Sequence, residues 1–254
     1  MTNPTERFSS RVENYIKYRP SYPPAVLDLL AAHHGLTPAS VIADLGSGTG
    51  ILAELFLKNG NVVHGVEPNR EMREAGERLL AGYPRFSSVD GTAEATTLPD
   101  ASADFVTAGQ AFHWFDQART RPEMRRILRP SGWVVLVWND RRLASTPFLE
   151  AYERLLRTFG TDYAAVNHTN IDEAAIRAFF GHGELVTHVV ENRQLFDLEG
   201  LTGRLLSSSY VPEADDPRHA PMLAELAAIF RESARDGVVS FDYDTRVYCG
   251  RFAT

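Results

Sequence analysis

Asp44, Gly46, Gly48 and Gly50 stand at alternate positions where the apolar run Val41-Ile42-Ala43 gives out, and Ile51-Leu52-Ala53-Glu54-Leu55-Phe56-Leu57 follows at once. Glycines tolerate backbone angles and close approaches that a Cβ forbids, and a helix start leaves backbone N–H groups aimed at whatever sits above it. A carboxylate beside such a turn suits a small ligand that carries positive charge. A second acid, Glu67, ends the apolar run Val62-Val63-His64-Gly65-Val66, 21 positions after Gly46. A carboxylate at the tip of a second strand can accept hydrogen bonds from both hydroxyls of a ribose.

Three ligand classes compete for the glycine stretch. A dinucleotide fingerprint needs Gly or Ala three residues after its second glycine, and Ile51 stands there. A phosphate-cradling loop needs a Lys-Ser/Thr pair, and none follows Gly50. The third ligand, S-adenosylmethionine, carries an ammonium, a carboxylate and a sulfonium at one end and an adenosine at the other. Asp44 answers the ammonium and Glu67 the ribose. A tight strand-to-helix turn with no ligand is the plain alternative.

The stretch resembles the cofactor-binding motif of class I S-adenosylmethionine-dependent methyltransferases. That resemblance covers the first 140 residues well and the remainder loosely. It implies cofactor contacts from Asp44, Gly46, Ser47, Gly48, Glu67 and Pro68. Asp90-Gly91-Thr92-Ala93-Glu94 is similar to the family's adenine-framing turn, with Thr92 where many relatives carry Asp. Thr92 and Ala93 are then expected beside the adenine. Gln110-Ala111-Phe112-His113-Trp114-Phe115 resembles the run after the fourth strand in trans-aconitate-type and related small-molecule methyltransferases. Ligands of open parallel sheets bind beyond the carboxyl ends of strands, so Gln110 and Ala111 are expected at the cofactor and His113 and Trp114 at the acceptor. His113 is also the candidate general base, given the ordinary near-neutral pKa of histidine; a plain aromatic wall residue is the other reading. Leu128-Arg129-Pro130-Ser131-Gly132 is similar to the family's Pro-Gly turn, feeding a fifth strand.

The elements that must position these residues follow from the apolar pattern. Ala25–His34 reads as a helix stopped by Gly35, Glu71–Leu80 as a crossover helix, and Arg119–Leu128 as another. Pro147–Phe159, Asp172–Phe180 (capped by Asp172), Asp197–Ser208 and Pro221–Arg235 also read as helices. Glu184–Glu191 alternates like a half-buried strand, and Thr245–Phe252 reads as the last one. The expected fold is α/β: a doubly wound, seven-stranded, mostly parallel Rossmann-like sheet with helical lid elements. Residues 1–24 form a cap segment and 25–254 one domain, with a core of roughly 36–140 plus the last strands and a lid of roughly 141–235. Tyr15 and Arg19 of the cap are expected to face the ligand, an arginine binding a carboxylate bidentately and tyrosine faces attracting a sulfonium. Tyr210, after Ser207-Ser208-Ser209, is expected to line the acceptor pocket; a simple helix terminus is the alternative.

Composition bounds the rest. The chain has 254 residues, net charge -7 and no dense basic stretch, which disfavours nucleic acid as a partner. No apolar run approaches the ~20 residues that span a bilayer. The polar, acidic start Met1–Glu6 is wrong for a signal or transit peptide, so the cytoplasm is expected. Cys249 is the only cysteine, so no disulfide is expected, nor a cysteine zinc site, and the eight histidines form no compact metal spacing. The reaction expected is methyl transfer from S-adenosylmethionine to an O, N or C nucleophile of a small molecule. The alternatives are binding of that cofactor or its demethylated product without turnover, and nicotinamide oxidoreduction. Neither the acceptor nor the oligomeric state is legible.

Overall fold

The structure is a computed structural model. It describes residues 18–161, 163, 173–208 and 210–253. Tyr15, most of the cap segment, the Asp172 cap and Ser209 lie outside the described residues.

The elements run α1 (Ala25–His34), β1 (Val41–Leu45), α2 (Ile51–Lys58), β2 (Val62–Val66), α3 (Arg70–Leu79), β3 (Phe86–Val89) and β4 (Ala103–Gly109). Then come a 3-10 turn (Phe112–Trp114), α4 (Gln117–Ile127), β5 (Leu128–Arg141), α5 (Pro147–Phe159), α6 (Glu173–Phe180), β6 (Leu185–Phe196), α7 (Leu198–Leu206), α8 (His219–Ser233) and β7 (Val239–Gly250). They form one seven-stranded sheet ordered β3-β2-β1-β4-β5-β7-β6. The β3–β2, β2–β1, β1–β4 and β4–β5 pairings are all parallel. Strand order reverses between β1 and β4, and that switch point is where such sheets take their ligands.

The chain divides into two compact units, one of residues 21–139, 171–190 and 245–254, the other of residues 1–20, 140–170 and 191–244. In the first, β5 shows why the sheet is doubly wound. Trp133, Val135 and Val137 join a core with Val26 and Leu30 of α1 and Leu52, Ala53 and Phe56 of α2. The alternate residues Val134, Leu136 and Trp138 join a second core with Met124 and Ile127 of α4 and Ile176, Phe179 and Phe180 of α6. Successive strand side chains point to opposite faces, so a continuous apolar run is what two helical layers require.

The second unit is built on α5, α7 and α8. Leu149, Tyr152 and Leu156 of α5 pack with Leu201 and Leu205 of α7, Met222 and Leu226 of α8, and Phe241 and Tyr243.

Several boundaries differ from the sequence expectation. Ala25–His34 and Pro147–Phe159 fall where expected, and Gly35 closes α1 at φ 72° with its N–H on the Leu30 carbonyl. The Pro-Gly stretch at residues 130–132 is no free turn feeding β5 but part of that strand. Ala103 pairs with Leu128 and Phe105 with Trp133, so the residues between Leu128 and Trp133 bulge inside the strand. A Cβ on Gly132 would lie 2.9 Å from the Asp104 carbonyl oxygen, which is why the bulge takes glycine. β7 starts at Val239 rather than Thr245, and β6 runs on to Phe196.

Candidate functional site

The first unit gathers most of the expected site residues at the carboxyl ends of β1, β2 and β4. Gly46, Gly48 and Gly50 all adopt left-handed backbone, at φ 64°, 57° and 86°. Space agrees with conformation at Gly46, where a Cβ would lie 2.8 Å from Ala111 Cβ and 3.3 Å from the Phe115 ring. The backbone N–H groups of Gly46 and Ser47 both donate to the Val66 carbonyl, at 2.9 and 3.1 Å. The turn is thereby tied to the end of β2.

Glu67 locks that connection. One carboxylate oxygen accepts from Gly48 N–H (2.9 Å) and the other from Asn69 N–H (2.8 Å). Asn69 in turn caps α3 through Met72 N–H, and Pro68 lies between. Burial raises the Glu67 pKa, against the lowering effect of those two N–H groups and of Arg73. Each carboxylate oxygen has a second lone pair, so Glu67 retains capacity for hydroxyl donors.

Asp44 is set deeper than the sequence suggests. It is 1% exposed. Its Oδ1 accepts from Thr107 Oγ1 at 2.7 Å, and the carboxylate also accepts from Ala53 N–H. Burial is the main cause of a pKa raised to about 7, and the charge of Glu67 adds to it. Among the described residues no cation is ion-paired to Asp44. Thr107, which the sequence reading missed, stands directly across from Asp44 in the parallel register of β1 and β4.

Beyond β4 the chain turns sharply. Gln110 has φ 55°, donates its N–H to Val137 O (2.9 Å) and its Nε2 to Asn139 O (3.3 Å). Ala111 precedes the 3-10 turn and packs over Gly46. Phe112 anchors the turn inward, edge-to-face with Phe179 at 4.8 Å. Its neighbours His113 and Trp114 stay exposed, their rings 4.6 Å apart. Surrounding chain nonetheless desolvates the His113 imidazole, and its pKa falls to about 4. At pH 7 the His113 imidazole is therefore neutral.

The Thr92–Ala95 turn is closed by a reciprocal pair of backbone bonds at 3.2 Å, with Ala93 buried at its centre. Glu94 accepts from Asp116 N–H at 2.9 Å, joining this turn to the end of the aromatic stretch. Tyr22 lies over the end of β4, where a Cβ on Gly109 would meet its hydroxyl at 2.6 Å. Asn139 Nδ2 donates to Ser21 O at 3.3 Å.

Arg19 and Tyr210 belong to the second unit. Arg19 donates to the Ser207 carbonyl at 3.2 Å. Tyr210 is buried, its ring 5.0 Å from that of Tyr163. Sequence reasoning also missed Arg204, a buried guanidinium whose Nη1 reaches the hydroxyls of Ser207 and Ser208. It missed as well the buried Arg141–Glu153 pair at 2.6 Å, which Tyr163 joins through its hydroxyl at 2.6 Å from the same carboxylate.

Comparison with known proteins bears on the first unit above all. Residues 43–136 match the family model for a methyltransferase domain. An uncharacterized methyltransferase of Mycobacterium tuberculosis is 42% identical over 134 residues, 53% of this chain and 52% of the relative; the match thus spans about half of that protein's length. An uncharacterized methyltransferase of Schizosaccharomyces pombe is 29% identical over 231 residues, 90% of this chain and 88% of the relative. A solved structure of a candidate type II methyltransferase from Anaeromyxobacter dehalogenans superimposes with a TM-score of 0.69 at 23% identity, covering 92% of this chain and 98% of its own. A Geobacter sulfurreducens methyltransferase solved with S-adenosyl-L-homocysteine gives 0.51 at 18% identity, covering 99% of each chain. These structural likenesses show the fold. Residues 43–136 thus resemble a methyltransferase domain, set in a seven-stranded sheet of the fold that these structures share.

Proposed function

We propose that the protein binds S-adenosylmethionine at the β1–α2 turn and transfers its methyl group to a nucleophile of a small-molecule acceptor. The observation that carries this reading is the pair of buried carboxylates, Asp44 and Glu67, around a turn whose three glycines are all left-handed. The fit to the cofactor is electrostatic. Asp44 is buried, lacks an ion-pair partner among the described residues, and has its pKa raised by burial and by Glu67. A site with surplus buried negative charge favours a ligand that brings a cation.

Glu67 would receive the ribose hydroxyls, and Gly46, Ser47, Gly48 and Pro68 would line the adjoining turn. Thr92 and Ala93 would frame the adenine, and Gln110 and Ala111 would close the site beside the methionine end. The bound cofactor supplies an electrophilic methyl on sulfur. The protein orients and desolvates, and positioning of this kind contributes ~7 kcal/mol or more of barrier lowering. His113 and Trp114 are assigned to the acceptor. His113, neutral at pH 7, accepts a hydrogen bond from a hydroxyl acceptor; a carboxylate or amine acceptor needs no base.

Isothermal titration with S-adenosylmethionine tests the binding half of the proposal, and absence of heat up to millimolar ligand would sink it. Formation of S-adenosylhomocysteine across a panel of small carboxylic acids, phenols and amines tests the transfer half. Binding without any turnover would instead support a sensor of the cofactor or its product.

A further inference from the structure

Away from the glycine turn, the first unit brings together three side chains that the sequence keeps far apart. His34 ends α1, His188 lies on the edge strand β6, and Cys249 lies near the end of β7. Their donor atoms, two imidazole nitrogens and one sulfur, all lie within 4.8 Å of one another. The sequence reading counted cysteines alone, whereas this arrangement sets two histidines beside the single sulfur.

The geometry points to a binding site for a late first-row divalent cation, Zn2+ by preference, held by His34, His188 and Cys249. His34 Nε2 and His188 Nε2 stand 3.2 Å apart. Two nitrogens each 2.0–2.1 Å from a tetrahedral zinc stand roughly 3.3 Å apart, and a thiolate sulfur stands roughly 3.6 Å from each of them. The nitrogens therefore already hold the required spacing, and movement of the Cys249 side chain completes it.

A plain histidine pair beside a buried thiol is the competing description, and it leaves one thing unexplained. Cys249 is 0% exposed and is the chain's only cysteine, yet its sulfur faces two imidazoles rather than a purely apolar wall. Thiolate with imidazole is the donor set that selects zinc over magnesium or calcium. His188 is only partly buried, which leaves the ion an approach from solvent. Arg251, stacked 3.9 Å over the Trp133 ring that His34 meets edge-on at 4.3 Å, is the nearby charge that opposes the ion.

The step balances simply. The Cys249 thiol loses its proton to solvent as the sulfur–metal bond forms. The histidine that carries hydrogen on Nε2 moves it to Nδ1 by exchange with water. One ion enters and one proton leaves. Bound metal would staple the sheet edge, because it joins α1, β6 and β7.

Cobalt(II) titration of the intact protein reads the site directly. The expected result is one equivalent of Co2+ with a near-ultraviolet thiolate-to-cobalt charge-transfer band and the visible bands of tetrahedral cobalt, both displaced by Zn2+. Cys249→Ser should abolish the charge-transfer band. His188→Ala should weaken Zn2+ in chelator competition by more than the roughly 10- to 100-fold that loss of an outer-shell partner costs. His182→Ala, on an exposed histidine outside the cluster, should leave both unchanged. Circular dichroism checks that each variant folds. Absence of the charge-transfer band in the wild-type protein, or equal metal affinity in wild type and His188→Ala, overturns the site. Neither readout uses S-adenosylmethionine, so the outcome is independent of the methyl-transfer reading.

Discussion

Asp44→Asn is the most informative single substitution. The folded protein lifts this carboxyl from an ordinary value of about 4 to about 7, chiefly by burial. The folded state thus holds the proton more tightly than the unfolded chain does. Stability contributed by this group is greatest below the unfolded value, falls as pH rises between about 4 and about 7, and is flat above. A rise of about three pH units is worth roughly 4 kcal/mol. The asparagine amide fills the same volume and still accepts from Thr107, but its NH2 group would face the Ala53 N–H. That mismatch costs about 1–3 kcal/mol. Below pH 4 the variant should therefore be the less stable protein by about that amount. By pH 8 the difference should have moved by roughly 4 kcal/mol in the variant's favour, which makes the ligand-free variant the more stable one. Urea denaturation from pH 4 to pH 8, analysed as variant minus wild type, cancels the other titrating groups to first order. A difference that does not change with pH would refute the claim that Asp44 is a strained buried charge, and with it the electrostatic case for a cationic ligand.

Other consequences are more local. Gly46→Ala places a Cβ 2.8 Å from Ala111 and keeps an L-residue at φ 64°; it should cost at least the ~1–2 kcal/mol of the left-handed backbone, seen as a lowered denaturation midpoint, and abolish cofactor binding in titration. Glu67→Ala removes the partner of two backbone N–H groups and the assigned ribose contact, so the dissociation constant for S-adenosylmethionine should rise about 10- to 100-fold by calorimetry. The rate of methyl transfer should show no titration between pH 6 and pH 8 attributable to His113, since desolvation holds it near 4; a His113→Ala variant that loses a rate limb in that range would contradict this. In Glu153→Gln the buried Arg141 loses its countercharge, at about 3–5 kcal/mol. Burial works against the Glu153 charge, but Tyr163 and Arg141 outweigh it and lower the pKa, so wild-type stability from this pair should hold above the ordinary glutamate value and fade as pH drops through the folded one, a limb the variant should lack.

The parts of the fold that the sequence made legible are those governed by neighbours along the chain. The strand-glycine-helix signal from Val41 to Leu57, the α1 stop at Gly35 and the Pro147 start of α5 are each decided within a few residues by turn or capping chemistry. What escaped was set across the sheet. Thr107 matters because parallel register puts it opposite Asp44. The Pro-Gly stretch inside β5 forms a bulge because Ala103 pairs with Leu128 and Phe105 with Trp133. Asp44 was readable as an acid beside a ligand turn, but not as an acid turned inward beneath it. Arg204 sits among polar helix-end residues that read as surface, yet it is buried with its guanidinium over the Phe241 ring and beside Tyr152, Tyr210 and Tyr243.

The double bond from Glu67 to Gly48 and Asn69 also bears on timing. Both bonds are internal to the protein, so the turn after β1 and the turn after β2 move as one piece before any ligand arrives. Association then does not wait for two loops to find each other, and its rate should resemble that of docking to a rigid surface. Substitutions around the site should accordingly spread out in how long the ligand stays, with arrival rates bunched together. Glu67 itself should be the exception, because without it the two turns become separate searches.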